Sequence, residues 1–456
     1  MTAAKPDPGP LRAALAGDVV AEGEAGWDAA RQAWNLTADQ RPPLVVMAGT
    51  VADVAATVRF AAANGLKVAP QSTGHGATSM GDLAGTVLLK TSRLTAVAVD
   101  PAARTATVEA GALWSDVVGP AGEHGLVGLH GLSAAVGVAG YVLGGGIGWL
   151  TRLHGFASTH VRSFEVVGAD GEPRRVDAAG DPDLFWALRG GGGRPAIVTS
   201  FELGLFELRE AFAGALIWPI AEAEAVVGAW REWIAAVPNE LSSTLKLIRY
   251  PPLPSVPDKL RGRAVVAIML AFTGTAERGD ELVAPLRAVA GPLLDTLGTV
   301  SGPALADVAG DPTNPTPASG HAGLVDRIGP DETDALLALA GAGVDTPLVS
   351  VEIRHLGGAL RDTAPDPGAA GTLAAEGLFY STAPITSAQA EAPILAAQRE
   401  ATARIAPFAG VRDTILTFDE QRPMRDAFAP EAADRLEAIA KERDPDGLFV
   451  ANHVAD

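Results

Sequence analysis

Apolar and polar positions alternate along this chain with two different periods. In "PPLVVMAGTVADVAATVRFAAANGL" (42–66) a short apolar run is followed by Val51, Val54, Ala55, Val58 and Ala62 at helical spacing. That pattern predicts a strand, a helix capped by Thr50, and a stop at Asn64-Gly65. A strand at 67–70 comes next, then short strands at 86–91, 94–100 and 104–111. Residues 161–178 predict a hairpin turning at Asp170-Gly171, and Asp181 or Asp183 can cap a short helix before a strand at 196–208. Past about residue 210 the texture changes. Amphipathic helices such as 221–237 alternate with strands at 243–250, 264–274 and 347–356, and a last helix is predicted at 430–442. The pattern is that of an α+β protein with two domains.

Composition narrows the partners. The chain has 456 residues, 48% of them hydrophobic and 20% charged, as expected of a globular enzyme. A net charge of −19 argues against nucleic acid or an anionic membrane as partner. Cys 0 excludes disulfides, thiolate catalysis and cysteine-bound metals. The first residues, "MTAAKPDPGPLRAALAGDVV", lack a basic start leading into an apolar core, and no window approaches the ~18 apolar residues of a membrane span. A cytoplasmic protein, monomer or homodimer, is expected.

Several chemical motifs fail on inspection. "GVAGYVLGGGIGWL" (137–150) is rich in glycine but is no dinucleotide fingerprint, because no G-x-G-x-x-G opens a helix after a strand. "GGGRPA" (191–196) has the letters but precedes a strand. No P-loop and no H-E-x-x-H is present, and His124 and His130 stand at no metal-ligand spacing. Ser133 lacks a nucleophile elbow. What remains is "KVAPQSTGHGATSMG" (67–81), where His75 is clamped between Gly74 and Gly76. Glycines on both sides serve a backbone that passes close to something or takes positive φ. Taken alone, His75 is an ordinary loop histidine.

Its company changes that reading. The His75 loop, the glycine run at 137–148, "DPDLFWALRGGGG" and the tail "DPDGLFVANH" occur in an order that resembles the vanillyl-alcohol-oxidase-type (PCMH-type) flavoproteins, within them the berberine-bridge-enzyme-like and 6-hydroxy-D-nicotine-oxidase-like branch. The resemblance is specific over 42–209, looser over 347–361 and 428–453, and faint between. It implies an FAD domain from 35–210, a substrate-binding domain from 211–410 with an antiparallel sheet covered by helices, and a return to the FAD domain over 411–456. It also implies that His75 bonds covalently to FAD. A neutral imidazole is the nucleophile for such a bond. Many relatives add a cysteine link at the position of Ser133, so here a single link is expected. By the same resemblance Gln71, Ser72, Thr73, Gly74 and Gly76 serve the pyrophosphate and flavin. Val136 controls oxygen access, Gly137, Gly140, Gly144, Gly145 and Gly148 form a second flavin segment, Val198 meets the adenine end, and Asn452 approaches the flavin. The activity implied is an FAD-linked oxidase. It would oxidise an alcohol, hemiacetal or amine C–H, reduce O₂ to H₂O₂, and serve in secondary-metabolite tailoring. The alternatives are a same-fold dehydrogenase with another acceptor, or a flavin-binding protein without oxidase activity.

The chain departs from that family at Arg194, Pro195 and Ala196, at Thr159-His160, and at Ile415 and Thr417, where relatives place a tyrosine and an asparagine. A base must then come from the substrate domain. Alternation along 349–355 puts Glu352 and Arg354 on one face and His355 on the other. Tyr380 or His355 is the candidate base and Arg354 the orienting cation. The plain alternatives are a surface Glu352–Arg354 ion pair and a core tyrosine.

Overall fold

The structure, a computed structural model, describes residues 6–362, 366–418, 422–451 and 453. A first sheet holds β1 (Asp18–Ala21), β2 (Leu44–Met47), β3 (Lys67–Gln71) and β4 (Thr86–Lys90) in the order β1-β2-β4-β3, with the last two pairings parallel. The crossover from β2 to β3 is α1 (Val51–Ala63), which starts at Thr50 with a reciprocal Thr50–Asp53 cap. The Asp53 carboxylate also accepts from Ala16 N at 2.8 Å and Gly49 N at 2.8 Å, so one buried side chain satisfies backbone donors from two segments. Because β1 pairs with β2, the first half takes in residues ahead of position 35.

A second, antiparallel sheet is built from β5 (Val97–Asp100), β6 (Thr105–Glu109), β7 (Val161–Val167), β8 (Pro173–Val176) and β9 (Ile197–Gly204), in the order β5-β6-β9-β7-β8. Between β6 and β7 the glycine-rich run forms two short helices, α2 (Val138–Leu143) and α3 (Thr151–His154). The tail returns to this half. Val68 N donates to Leu448 O at 2.8 Å and Val450 N to Val68 O at 2.9 Å, placing the chain end beside β3.

The second half is an eight-stranded antiparallel sheet. Its long strands are β10 (Glu210–Pro219), β11 (Leu241–Arg249), β12 (Ala264–Phe272), β13 (Ala318–Val325), β14 (Ser350–His355) and β15 (Gly377–Pro384), in the order β10-β12-β11-β14-β15-β13. One face carries Leu216, Trp218, Leu245, Ile268, Ile353 and Phe379, buried against helices that include α4 (Ala223–Ile234), α5 (Ala276–Arg287), α6 (Pro330–Ala340) and α7 (Ala388–Ile405). Burying each such aliphatic side chain contributes about 1.5–3 kcal/mol. The other face packs Ala213, Ala215, Val265, Ala267 and Met269 onto the first half, in one core with Trp114 and Trp149. Both faces are covered, so β11 reads as a nearly continuous buried run. No helix among the described residues is long and apolar enough to cross a membrane.

Candidate active site

A cavity of about 330 Å³ opens between the two halves. The loop after β3 forms one wall with Ser72, Thr73, Gly74, His75 and Gly76, and β15 and β13 form the opposite wall with Tyr380, Thr382 and Gly320. Gly74 has φ +84°, and a Cβ there would stand 2.8 Å from Ala33 Cβ, so the loop tolerates no side chain at that point. His75 is held by Thr73 Oγ1, 2.8 Å from its Nδ1. Burial pushes its pKa down to about 4, which leaves the ring neutral at neutral pH.

The wall is rich in polar atoms that lack partners. Ser72 Oγ, Trp34 Nε1, Tyr141 Oη, Thr417 Oγ1 and His453 Nδ1 are buried with no hydrogen-bond partner among the described residues, and all five residues line the cavity. Leaving so many polar groups unpaired in one place is costly unless a polar ligand completes them. Beneath the loop, Lys90 Nζ donates to Gln71 Oε1 and to Gln32 O at 2.8 Å, and Gln71 Nε2 donates to Gln40 Oε1 at 2.9 Å. Gln71, expected to serve the pyrophosphate, lines the cavity with its side-chain oxygen taken by Lys90 and one of its two amide N–H groups by Gln40. Burial lowers the Lys90 pKa to about 8.

Val136, Gly137, Gly140, Gly144 and Val198 also line the cavity, and the space beside Gly140 is open. Three expected positions do not line it. The Ser133 hydroxyl accepts from Ala135 N at 3.3 Å outside the cavity wall. Gly148 is a packing glycine, because a Cβ there would lie 1.9 Å from His130 O, and a Cβ on Gly145 would meet Phe156 at 3.2 Å. Asn452 lies outside the described residues. At the altered motif, Ile415 is buried in a core cluster, whereas Leu416, Thr417 and Phe418 reach the wall.

On the sheet side, Lys246, Glu352 and Tyr380 stand in register on neighbouring strands. Glu352 accepts from Lys246 Nζ at 2.9 Å and from Arg354 Nε at 2.6 Å. Burial opposes the Glu352 charge, but the two cations outweigh it and hold the carboxyl below its ordinary range. The Glu352–Arg354 ion pair, whose plain alternative was a surface pair, is buried. Arg354 lies behind the wall, its guanidinium 4.8 Å from the Phe418 ring and 5.8 Å from that of Tyr380. Tyr380 meets Phe418 edge-on at 5.7 Å. His355 is a correction. It is outside the cavity wall, and its Nε2 faces Arg152 Nη1 at 2.7 Å, so it cannot reach a substrate there. Trp34, Tyr141 and His453 were missed; an aromatic-Asn pair at 34–35 ahead of the strand was the one available signal.

The comparisons agree with this geometry. Residues 42–177 match the family model described as an FAD binding domain. The chain carries an FAD-binding domain. The two halves together share the fold of a BBE-like protein of Physcomitrella patens, which superposes with a TM-score of 0.85 at 19% identity, over 99% of both chains. The structure of glucooligosaccharide oxidase from Acremonium strictum, described as carrying 6-S-cysteinyl, 8α-N1-histidyl FAD, gives a TM-score of 0.81 at 23% identity over 98% of this chain and 100% of that one. By sequence, (R)-6-hydroxynicotine oxidase of Paenarthrobacter nicotinovorans is 33% identical over 205 residues, 45% of each chain. The chain spans about half the length of the curated relatives it matches.

Proposed function

We propose that the protein is an FAD-dependent oxidase of a small molecule bearing an alcohol, hemiacetal or amine C–H, with the cofactor attached through His75 alone. The observation that carries this reading is the wall itself: His75 between two glycines, among five buried polar atoms without partners, across the cavity from Tyr380. Those groups fit a polar cofactor, and a purely aliphatic ligand would leave them unsatisfied. Held by these residues, FAD would supply a two-electron acceptor for substrate oxidation with dioxygen as the final oxidant.

The chain's own residues do the rest. Ser72 and Trp34 offer donors from the wall, and the backbone of the glycine-flanked loop allows close approach of the cofactor. Neutral His75 provides the nucleophilic nitrogen. Tyr380 presents its hydroxyl oxygen to the substrate space and, as the phenolate, serves as the group that takes the substrate proton. Arg354, fixed by Glu352, packs as a cation over the rings of Phe418 and Tyr380 and holds them in place. With no cysteine in the chain, a second thioether link is chemically excluded.

The test is acid precipitation of purified protein, followed by an H₂O₂ assay over alcohols, sugars and amines. Yellow colour that stays with the precipitate, a mass increment of one FAD, and peroxide formation are expected. Colour wholly in the supernatant would overturn the attachment, and substrate turnover without peroxide would overturn the oxidase.

A further inference from the structure

Trp34 precedes the stretch matched by the FAD-binding family, yet its indole lies flat on His75. The ring centroids are 3.9 Å apart and the planes 14° from parallel. The backbone around it is sewn to both halves. Trp34 N donates to Thr73 O at 2.8 Å and Asn35 N to Gly74 O at 3.3 Å, while Thr316 N donates to Trp34 O at 3.1 Å. The Asn35 side chain adds a clamp on Ala318, donating to its O at 3.0 Å and accepting from its N at 3.3 Å. Residues 34–36 thus form a strap between the histidine loop and the start of β13. The missing Cβ of Gly74 lets the strap lie against the loop, since Ala33 would otherwise block it.

These contacts remove the two freedoms an exposed loop histidine has. The indole fixes the plane of the imidazole, and Thr73 Oγ1 fixes its rotation through Nδ1. Aromatic stacking of this kind contributes about 0.5–1.5 kcal/mol beyond the area it buries, enough to bias a side-chain orientation strongly.

We propose that Trp34 is a positioning residue for the bond between His75 and FAD: its stacked indole holds the imidazole in the plane from which a ring nitrogen meets the flavin methyl carbon. The inference rests on the reading that His75 carries the cofactor. In the bond-forming step a C–N bond replaces one methyl C–H and one imidazole N–H. The two electrons and two protons released pass to dioxygen, which leaves as H₂O₂. Bond formation demands a near-attack geometry, and a displacement of about 1 Å can cost two orders of magnitude in rate.

The experiment follows covalent attachment and not turnover. The whole chain of wild type, Trp34→Phe, Trp34→Ala and His75→Ala, produced as apoprotein under flavin depletion, is incubated with excess FAD in air, denatured at intervals and weighed by intact mass spectrometry. Reversible FAD affinity is measured on His75→Ala and on His75→Ala/Trp34→Ala. Wild type and Trp34→Phe are expected to gain the FAD mass at rates within about threefold of each other, and Trp34→Ala about tenfold more slowly or worse. The double variant lacks the Trp34 Nε1 donor and is expected to bind FAD within about tenfold of His75→Ala, the worth of one hydrogen bond, which shows the fold and pocket intact. Attachment to Trp34→Ala at the wild-type rate overturns the inference, and so does Trp34→Phe as slow as Trp34→Ala. Loss of reversible binding in the double variant also overturns it, because Trp34 would then act in binding. Wild type that gains no mass removes the His75 reading itself, a separate failure.

Discussion

Arg152 Nη1 lies 2.7 Å from His355 Nε2, joining α3 of the first half to β14 of the eight-stranded sheet. The same guanidinium donates to Leu241 O at 2.8 Å through Nε and to Leu356 O through Nη1. Burial lowers the Arg152 pKa to about 10, with Arg361 adding to the effect. His355 is thus an acceptor in a staple between halves. His355→Ala should leave a buried cationic N–H unpaired and cost about 1–3 kcal/mol in urea unfolding, with His355→Gln recovering most of it. Equal stability of the alanine variant and wild type would refute the staple.

Acid should loosen the fold through the same residue and its kin. Burial pushes His154 and His453 down to about 4 and His355 to about 3, from an ordinary value of 6.5. With the folded pKa below the unfolded one, the unfolded chain binds more protons between these values. The stability these groups contribute is complete above about pH 6.5 and is lost as pH falls toward 4. Melting temperature should therefore fall between pH 7 and pH 5, and His355→Gln should flatten the slope. A melting temperature constant across that range would contradict the buried neutral state.

Lys246, Glu352 and Arg354 share one buried carboxylate between two cations. Glu352→Gln removes the only negative charge of that group and should cost about 3–5 kcal/mol, the range seen when a buried pair loses one partner. Adding Lys246→Met to it should restore part of the loss, because one cation then no longer needs the carboxylate. Denaturant titration of the single and double variants measures the coupling.

Local chemistry was legible where a single segment decides the outcome. The Thr50 cap, the turn at Asp170-Gly171 and the alternation that puts Glu352 and Arg354 on one face all follow from neighbours in the chain. What lies opposite a face was not legible. His355 looked available because strand alternation says nothing about Arg152, which arrives from another element. Ser133 and Gly148 fit a motif, yet a glycine serving close backbone packing reads the same in sequence as one lining a cavity. Gln71 reads in sequence as a free donor because Gln40, whose Oε1 takes one of its amide N–H groups, lies 31 residues away in the chain. Trp34 went unread because its meaning depends on a ring stacked across a loop.

The proposed use of dioxygen can be probed at Val136, a partly buried side chain in the cavity wall. Val136→Ile adds one methylene to that wall. Reoxidation of reduced enzyme by air-saturated buffer should slow by about tenfold, a barrier change of ~1.4 kcal/mol, with anaerobic reduction by substrate unchanged. Unchanged reoxidation in stopped-flow would mean that oxygen reaches the flavin by another route.

Tyr380 is the remaining candidate base, and its neighbour Gly320 makes the assignment testable from two sides. Gly320 is in the cavity wall on β13, and a Cβ there would stand 2.3 Å from Tyr380 Oη. Gly320→Ala must therefore push the phenol away from its position without changing its chemistry. Tyr380→Phe removes the proton acceptor while keeping the ring that packs on Phe418 and Arg354. If Tyr380 takes the substrate proton, both variants should slow anaerobic flavin reduction. Tyr380→Phe should do so by about 10²–10⁴-fold, the usual contribution of a general base. Bound flavin and its spectrum should be unchanged in both, and substrate affinity should move little in Tyr380→Phe. Reduction of Tyr380→Phe within about threefold of wild type would be too small a loss for a general base, and proton removal would then belong to another group in the wall.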